Sequence, residues 1–190
     1  DYEHTEGGEN LFRNDTFEGR LEASHKPIAG LDGVIGFQVI TSQFSASEIE
    51  ENEFQVPITQ SNSYSIFAQE SFDMGSTTTQ LGARIEHFTV DSRNLENPDS
   101  SYTPISTSVS ELWNINDNNL VNLALTRSQR APQPQELFFE GFHEATRAFE
   151  RGNSGLGIET SYNLDLGYKY DSDLVSAQVD LFHNWVNDYI

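Results

Sequence analysis

The 190-residue sequence contains no cysteine. That absence removes disulfides, thiolate metal sites and cysteine nucleophiles together. Basic residues are scarce: 10 Lys and Arg stand against 30 Asp and Glu, for a formal charge of −20. A nucleic-acid partner requires a basic face to neutralise phosphates, so that class is excluded. The carboxylate surplus suits cation capture instead. Long apolar runs are missing too. The longest apolar-looking stretch, Val34-Ile35-Gly36-Phe37-Gln38-Val39-Ile40, is far shorter than the ~18 residues of a membrane-crossing helix. A membrane β-strand needs only about 9–11 residues of alternating character, so a membrane stays open. Enzyme signatures are also absent: there is no Gly-x-Ser-x-Gly elbow, phosphate loop, His-Glu-x-x-His pair or dinucleotide fingerprint. The expectation is a protein that is not an enzyme and uses no cofactor.

Aromatic residues, at 12%, are too many for a disordered acidic chain. The dominant signal is alternation with period two. Tyr162, Leu164, Leu166, Tyr168 and Tyr170 fall on one face of 161–171, opposite Ser161, Asn163, Asp165, Lys169 and Asp171. Val175, Ala177, Val179, Leu181 and Trp185 do the same in 175–185, as do Phe17, Leu21 and Ala23 in 17–25, and Leu81, Ala83 and Ile85 in 81–89. Such segments are strands with one apolar and one polar face. About eight are expected, near 14–26, 33–45, 62–74, 78–91, 105–115, 119–130, 160–171 and 174–189. Helical spacing is weak everywhere except Gln135–Phe149.

The connections alternate in length. Short turns rich in Gly, Asn, Asp and Pro sit at Pro27–Asp32, Met74–Thr77, Asn116–Asn119 and Asp171–Asp173. Long loops sit at Ala46–Ser61, Ser92–Pro104 and Ala131–Glu159, and Asp1–Asn14 leads in. One sheet end therefore carries tight turns and the other carries large loops, as in outer-membrane barrels. A soluble β-sandwich also alternates, and would bind Ca²⁺ or glycan through acidic loops. Strands of about 11–14 residues exceed the usual 5–6 and favour the barrel. So do aromatics near strand ends, namely Phe44, Tyr64, Phe72, Phe88, Trp113, Tyr162, Trp185 and Tyr189, which suit membrane-interface girdles. The expected fold is all-β: an antiparallel up-and-down meander of about eight long strands, forming an arc of a larger transmembrane β-barrel.

The segment Thr126-Arg127-Ser128-Gln129-Arg130-Ala131-Pro132-Gln133-Pro134-Gln135-Glu136-Leu137-Phe138 resembles a signature of TonB-dependent outer-membrane receptors. In that family a barrel strand ends in an Arg-Ala-Pro-type motif and an acidic-Leu-aromatic stretch opens a long external loop. Gly141-Phe142-His143-Glu144-Ala145-Thr146, Phe149-Glu150-Arg151-Gly152-Asn153 and the closing Asn184-Trp185-Val186-Asn187-Asp188-Tyr189-Ile190 are similar to the same family. Asp1-Tyr2-Glu3-His4-Thr5-Glu6-Gly7-Gly8-Glu9, Phe12, Asn14, Glu18-Gly19-Arg20-Leu21-Glu22-Ala23-Ser24-His25 and the His143 segment resemble its zinc-uptake branch. The resemblance implies a bacterial outer-membrane location, surrounding lipid, an N-terminal plug through which TonB acts, and a barrel of about 22 strands. No plug, TonB box or terminal strand signature is visible in the sequence. Residues 1–190 are therefore expected to be a partial barrel domain lacking its plug and remaining strands. The open edges of such an arc invite self-association.

Imidazole and carboxylate together suit Zn²⁺. His4 and Glu6, flanked by Glu3 and Glu9, form one candidate group; His143 and Glu140, beside Glu144, form another. By resemblance, His143 matches the loop histidine that contributes to metal binding in the zinc-uptake branch. The bland reading of both groups is a solvated loop on an acidic protein. Zinc is thus the leading transported ligand, with haem or a siderophore next. His25, His87 and His183 share parity with apolar neighbours and are expected to be packed or interfacial. The acid run Glu48-Ile49-Glu50-Glu51-Asn52-Glu53 is either plain hydration or an electrostatic funnel for cations.

Overall fold

The computed structural model describes residues 10–28, 30–48, 53–93, 99–143 and 147–190. In chain order the elements are β1 (Asn10–Ile28), β2 (Leu31–Glu48), β3 (Glu53–Asp73), β4 (Thr77–Ser92), β5 (Ser100–Tyr102), β6 (Ile105–Asn116), β7 (Asn119–Arg130), α1 (Pro134–Phe138), β8 (Glu140–His143), β9 (Ala148–Arg151), β10 (Glu159–Asp171) and β11 (Ser176–Asn187). The sheet runs β1-β2-β3-β4-β6-β7-β10-β11, with β5 added to β4 and β8–β9 as a separate hairpin. Its neighbours pair antiparallel throughout. Among the described residues β1 and β11 are the two unpaired edges, so the sheet is an open arc. It is one layer, and the sandwich alternative is not followed.

All eight expected strands are present, and β7 has the expected bounds. The loop expected over Ala46–Ser61 is largely strand, because β2 runs on to Glu48 and β3 starts at Glu53. Register shifts between Phe44 and Ser47 let the pair continue after its simple alternation ends. The helical spacing over Gln135–Phe149 yields only the five-residue α1, followed by the β8–β9 hairpin. Pro134 sets its first turn, and the chain is extended again at Phe139. No helix among the described residues is long and apolar enough to cross a membrane.

Register shows which side chains share a face. Leu21, Phe37, Ile66, Ile85 and Ile105 lie in one row across β1–β6. Val109, Leu125, Leu164 and His183 form another across β6–β11. These rows belong to one face, and most of its large apolar side chains are exposed, including Leu21, Ile66, Leu166, Val179 and Leu181. Aromatics bound the band at both ends: Tyr64, Tyr162 and Trp185 towards the long connections, Phe72, Trp113, Tyr168 and Tyr170 towards the short turns. Between Tyr64 and Phe72, or Tyr162 and Tyr170, the strand covers the length of a membrane-spanning β-segment, about 9–11 residues. A continuous exposed band of this kind is foreign to soluble monomers and fits a lipid-facing wall.

His25, His87 and His183 all stand on this outward face. His25 Nε2 lies 3.1 Å from the Glu70 carboxylate, two strands away. The residue between them is Gly33, where a Cβ would stand 2.5 Å from Glu70 Oε2 and 2.3 Å from the Gln69 carbonyl oxygen. A side chain there would block the bridge. His183 packs edge-on to Trp185 at 4.1 Å between ring centroids.

The opposite face is polar. Gln38 donates to Glu18, Arg84 donates to Gln38 at 2.8 Å, and Ser63 donates to Glu86 at 2.6 Å. The Arg20 guanidinium stands 4.4 Å over the Phe67 ring. These linked charges need water or further protein beside them, as a barrel lumen provides.

Candidate functional site

β1–β3 have 18–21 residues, against 12 in β6, β7 and β11. The excess raises one side of the wall by roughly 20–30 Å of strand. At this level the apolar face changes sides. On β4, Leu81, Ala83 and Ile85 face outward, whereas Phe88 and Val90, of opposite parity, are buried on the inner side. Ala46 and Val56 join them, with Ala131, Leu137 and Phe138 from the β7–β10 connection; Phe44, Tyr102, Phe139 and Leu156 pack around the cluster. The hydrophobic core of the described residues is therefore a roof, made where residues 131–143 and 147–158 fold inward onto β2, β3 and β4. Phe44 and Phe88 consequently belong to this core and not to the aromatic girdle expected from the sequence.

Local chemistry explains why the segment turns inward. The Pro132 and Pro134 rings end the β7 strand, since neither can donate a ladder hydrogen bond. Gln133 caps α1, and the Glu136 carboxylate accepts the Gln133 N–H at 2.7 Å, closing a capping box. The buried Leu137 and Phe138 then point into the apolar tops of β2–β4. The returning chain is sewn to α1 by Gly152 N–H to Phe139 O at 2.6 Å and Asn153 N–H to Glu136 O at 2.9 Å. A Cβ on Gly152 would stand 2.6–2.8 Å from Leu137 and Phe138 backbone atoms, so only glycine permits this approach.

A four-point latch holds the roof to the wall. Arg130, the last residue of β7, donates Nη1–H and Nη2–H to the two Glu136 oxygens at 2.9 and 3.0 Å. It donates Nε–H and Nη2–H to the two Glu159 oxygens at 2.9 and 3.0 Å. Glu159 also accepts the Ile190 N–H at 3.0 Å. One guanidinium thus ties the end of β7, the start of β10, α1 and Ile190, in the forked geometry only Arg provides.

The latch titrates in a definite direction. Hydrogen bonds from Arg130, then from the Ile190 N–H, hold the Glu159 carboxyl below its ordinary 4.5. A carboxylate depressed in the folded state contributes stability above its unfolded pKa and loses it as pH falls through the folded value. The roof is expected to keep its amide protection from neutral pH down to the ordinary carboxylate value of 4.5. It should loosen progressively as pH falls below that value. Hydrogen exchange over 134–156 in the full-length protein checks this; loosening already near pH 6 would contradict the latch. Elsewhere at the mouth, repulsion from Asp91 raises the Asp99 carboxyl.

Among the described residues, cavities lie on several sides of the roof. Beneath it, about 320 Å³ is lined by Asn14, Ser42, Ser63, Glu86, Phe88 and Gln135. Beside it, about 430 Å³ is lined by Phe12, Phe44, Val56, Phe139, Phe142 and Arg151 among others. The first mixes polar side chains with Phe44 and Phe88 and opens on the lumen wall; the second is aromatic.

Of the residues expected to ligate metal, His4 and Glu6 lie outside the described residues, as does most of the acid run, 49–52. Glu140 opens β8 opposite Arg151, its carboxylate exposed and 4.0 Å from Arg151 Nε. His143 ends the same strand opposite Ala148, so the backbone sets it and Glu140 at opposite ends of β8. Among the described residues no group of three or more His, Asp or Glu is arranged to hold a metal ion. Arg130, Glu136 and Glu159 belong to segments that carry the sequence resemblance, but their joining into one latch was not foreseen from the sequence. The signal was available: Gln133-x-x-Glu136 behind a proline is a capping box, and it directly follows a strand ending in Arg130.

The whole chain, residues 1–190, matches a family model described as TonB dependent receptor-like, beta-barrel. Among solved structures it is similar to the copper transporter OprC, with a TM-score of 0.74 at 19% identity, over 95% of this chain. The match spans 30% of the length of that protein. At this identity the likeness concerns the fold alone.

Proposed function

This chain belongs to the TonB-dependent receptor-like β-barrel family, and on that premise we propose that it forms wall and mouth of an outer-membrane receptor taking up a metal ion, zinc foremost. The observation that carries the receptor reading is the two-sidedness of one sheet. An aromatic-bounded apolar band faces outward, linked charges face inward, and a latched roof stands over the inner side. Lipid covers the first, the lumen takes the second, and the roof forms part of the entrance. The rest of the barrel and a plug lie elsewhere in the full-length receptor, and TonB acts through that plug.

Two features support a metal as cargo. The charge of −20 draws cations towards the mouth, and the structurally similar OprC is a copper transporter by name. Zinc is favoured over softer metals because the candidate ligands are imidazole and carboxylate, with no thiolate and a single methionine in the chain. Zinc titration of the full-length receptor tests this. His143→Ala is expected to weaken binding about tenfold or more, as loss of a ligand or its immediate support does, and His4→Ala similarly. Unchanged zinc affinity in both variants removes the zinc assignment. Uptake of copper without zinc would reassign the cargo and leave the receptor reading intact.

A further inference from the structure

The outward face holds one feature that a plain lipid-facing wall does not require. Arg127 of β7 lies in a row with Thr107, Tyr162 and Trp185, at the loop-side edge of the apolar band. One row beyond it the surface turns polar: Gln129 donates to Thr160 Oγ1 at 3.0 Å and accepts the Ile105 N–H at 2.9 Å. Arg127 thus sits where hydrocarbon gives way to headgroups. Its Nη1–H donates to the Ile105 carbonyl at 2.8 Å. Among the described residues no carboxylate lies within ion-pair distance of it, although acids outnumber bases threefold and Arg20, Arg84 and Arg130 all have carboxylate partners. Below the guanidinium runs a groove of about 470 Å³, largely apolar, lined on this face by Val109, Leu125, Tyr162 and Trp185.

We propose that this groove binds a phosphate-bearing membrane lipid of the loop-side leaflet, with an acyl chain against Val109 and Leu125 and the headgroup phosphate on Arg127. Three arguments select that occupant. The groove is continuous with the lipid-facing band, so an acyl chain already lies against it. A guanidinium at headgroup depth with donors to spare pairs with phosphate oxygens, for which its fork is suited. Tyr162 and Trp185 wall the headgroup end with amphipathic rings that favour this depth. The proposal rests on the outward band facing lipid and is independent of the cargo.

The test uses the full-length receptor in detergent, titrated with phosphatidylglycerol and separately with the matching diacylglycerol, and read by native mass spectrometry. One phosphatidylglycerol is expected to stay bound in preference to diacylglycerol. Arg127→Gln should cut that retention several-fold, while Arg127→Lys keeps most of it. Arg13→Gln, which removes a cation from the same face nearer the loops, should leave it unchanged. Equal retention of the two lipids by the wild type overturns the proposal without reference to any variant. So does full retention by Arg127→Gln. Saturation of the effect by inorganic phosphate alone would assign the site to a free anion and also overturn it. A protein that needs no detergent would instead refute the membrane reading itself.

Discussion

Replacing Arg130 with Gln should open the roof while leaving the sheet in place. The substitution removes all four donated bonds to Glu136 and Glu159 and leaves two carboxylates facing one another. A hydrogen bond to a charged group is worth about 1.5–3 kcal/mol in net terms. Arg130 is 38% exposed, so solvent screening discounts the total. A loss of roughly 2–3 kcal/mol of local stability is expected, which multiplies the open fraction of the roof by about 30–150. The measurement is protease cleavage within 140–158 on the full-length receptor in whole cells. Cleavage should become rapid in Arg130→Gln and stay slow in the wild type. Arg130→Lys should fall between them, because a point charge cannot bridge two carboxylates with two bonds each. Glu136→Gln should have the smaller effect, since Glu159 keeps its side of the latch and the neutral amide can still accept the Gln133 N–H. Wild-type resistance in Arg130→Gln would show that the apolar cluster of Leu137, Phe138, Val56 and Val90 closes the roof unaided.

The wall was legible in the sequence because its physics is local. A strand with lipid on one side and water on the other must alternate; 162–170 does so without interruption, and 177–185 does so except at Phe182 and His183. The bounds of β7 could be placed because Asn116–Asn119 and Ala131-Pro132 are unambiguous stops. The roof was not legible because it depends on contacts far apart in sequence. Phe88 and Val90 look like members of a strand whose apolar side is Leu81, Ala83 and Ile85, yet they have the other parity. That inversion is itself the signal: outward apolar residues mean lipid, and a switch to inward ones further up the strand means that protein folds back over the lumen. Ala46 and Val56 repeat the switch on β2 and β3, where Pro57 and the register shifts disguise the strand as loop. Glu136 carries two jobs, in the capping box and in the latch, and only the first has a sequence signature. The pairing of Arg130 with Glu159 is set by the register of β7 on β10, which spacing alone does not reveal.

Placing an arginine at Ile66 should prevent insertion of the receptor, whereas the same change three residues along the strand, at Gln69, should be tolerated. Ile66 is 56% exposed and lies between Phe37 and Ile85 in the Leu21–Ile105 row. Gln69 has the opposite parity and faces the lumen beside Val34 and Gly82. Both are accessible positions on β3, so in water a charge at either would cost almost nothing. In a bilayer the two part company: a lipid-facing arginine costs about 2–4 kcal/mol at the midplane and less towards the interfaces. Ile66 lies between these extremes, two residues from Tyr64 at the loop-side girdle, so a penalty of roughly 2 kcal/mol is expected. The yield of folded, heat-modifiable receptor in the outer membrane reads the difference, with Ile66→Arg strongly reduced and Gln69→Arg close to wild type. Equal yields would mean that the greasy face meets something other than lipid. The reverse order would mean that the sheet is inside out, with the roof on the lipid side. The second outcome is physically untenable for Glu18, Arg84 and Glu86, whose linked charges would then lie in hydrocarbon, and that is why the asymmetry is expected to be large.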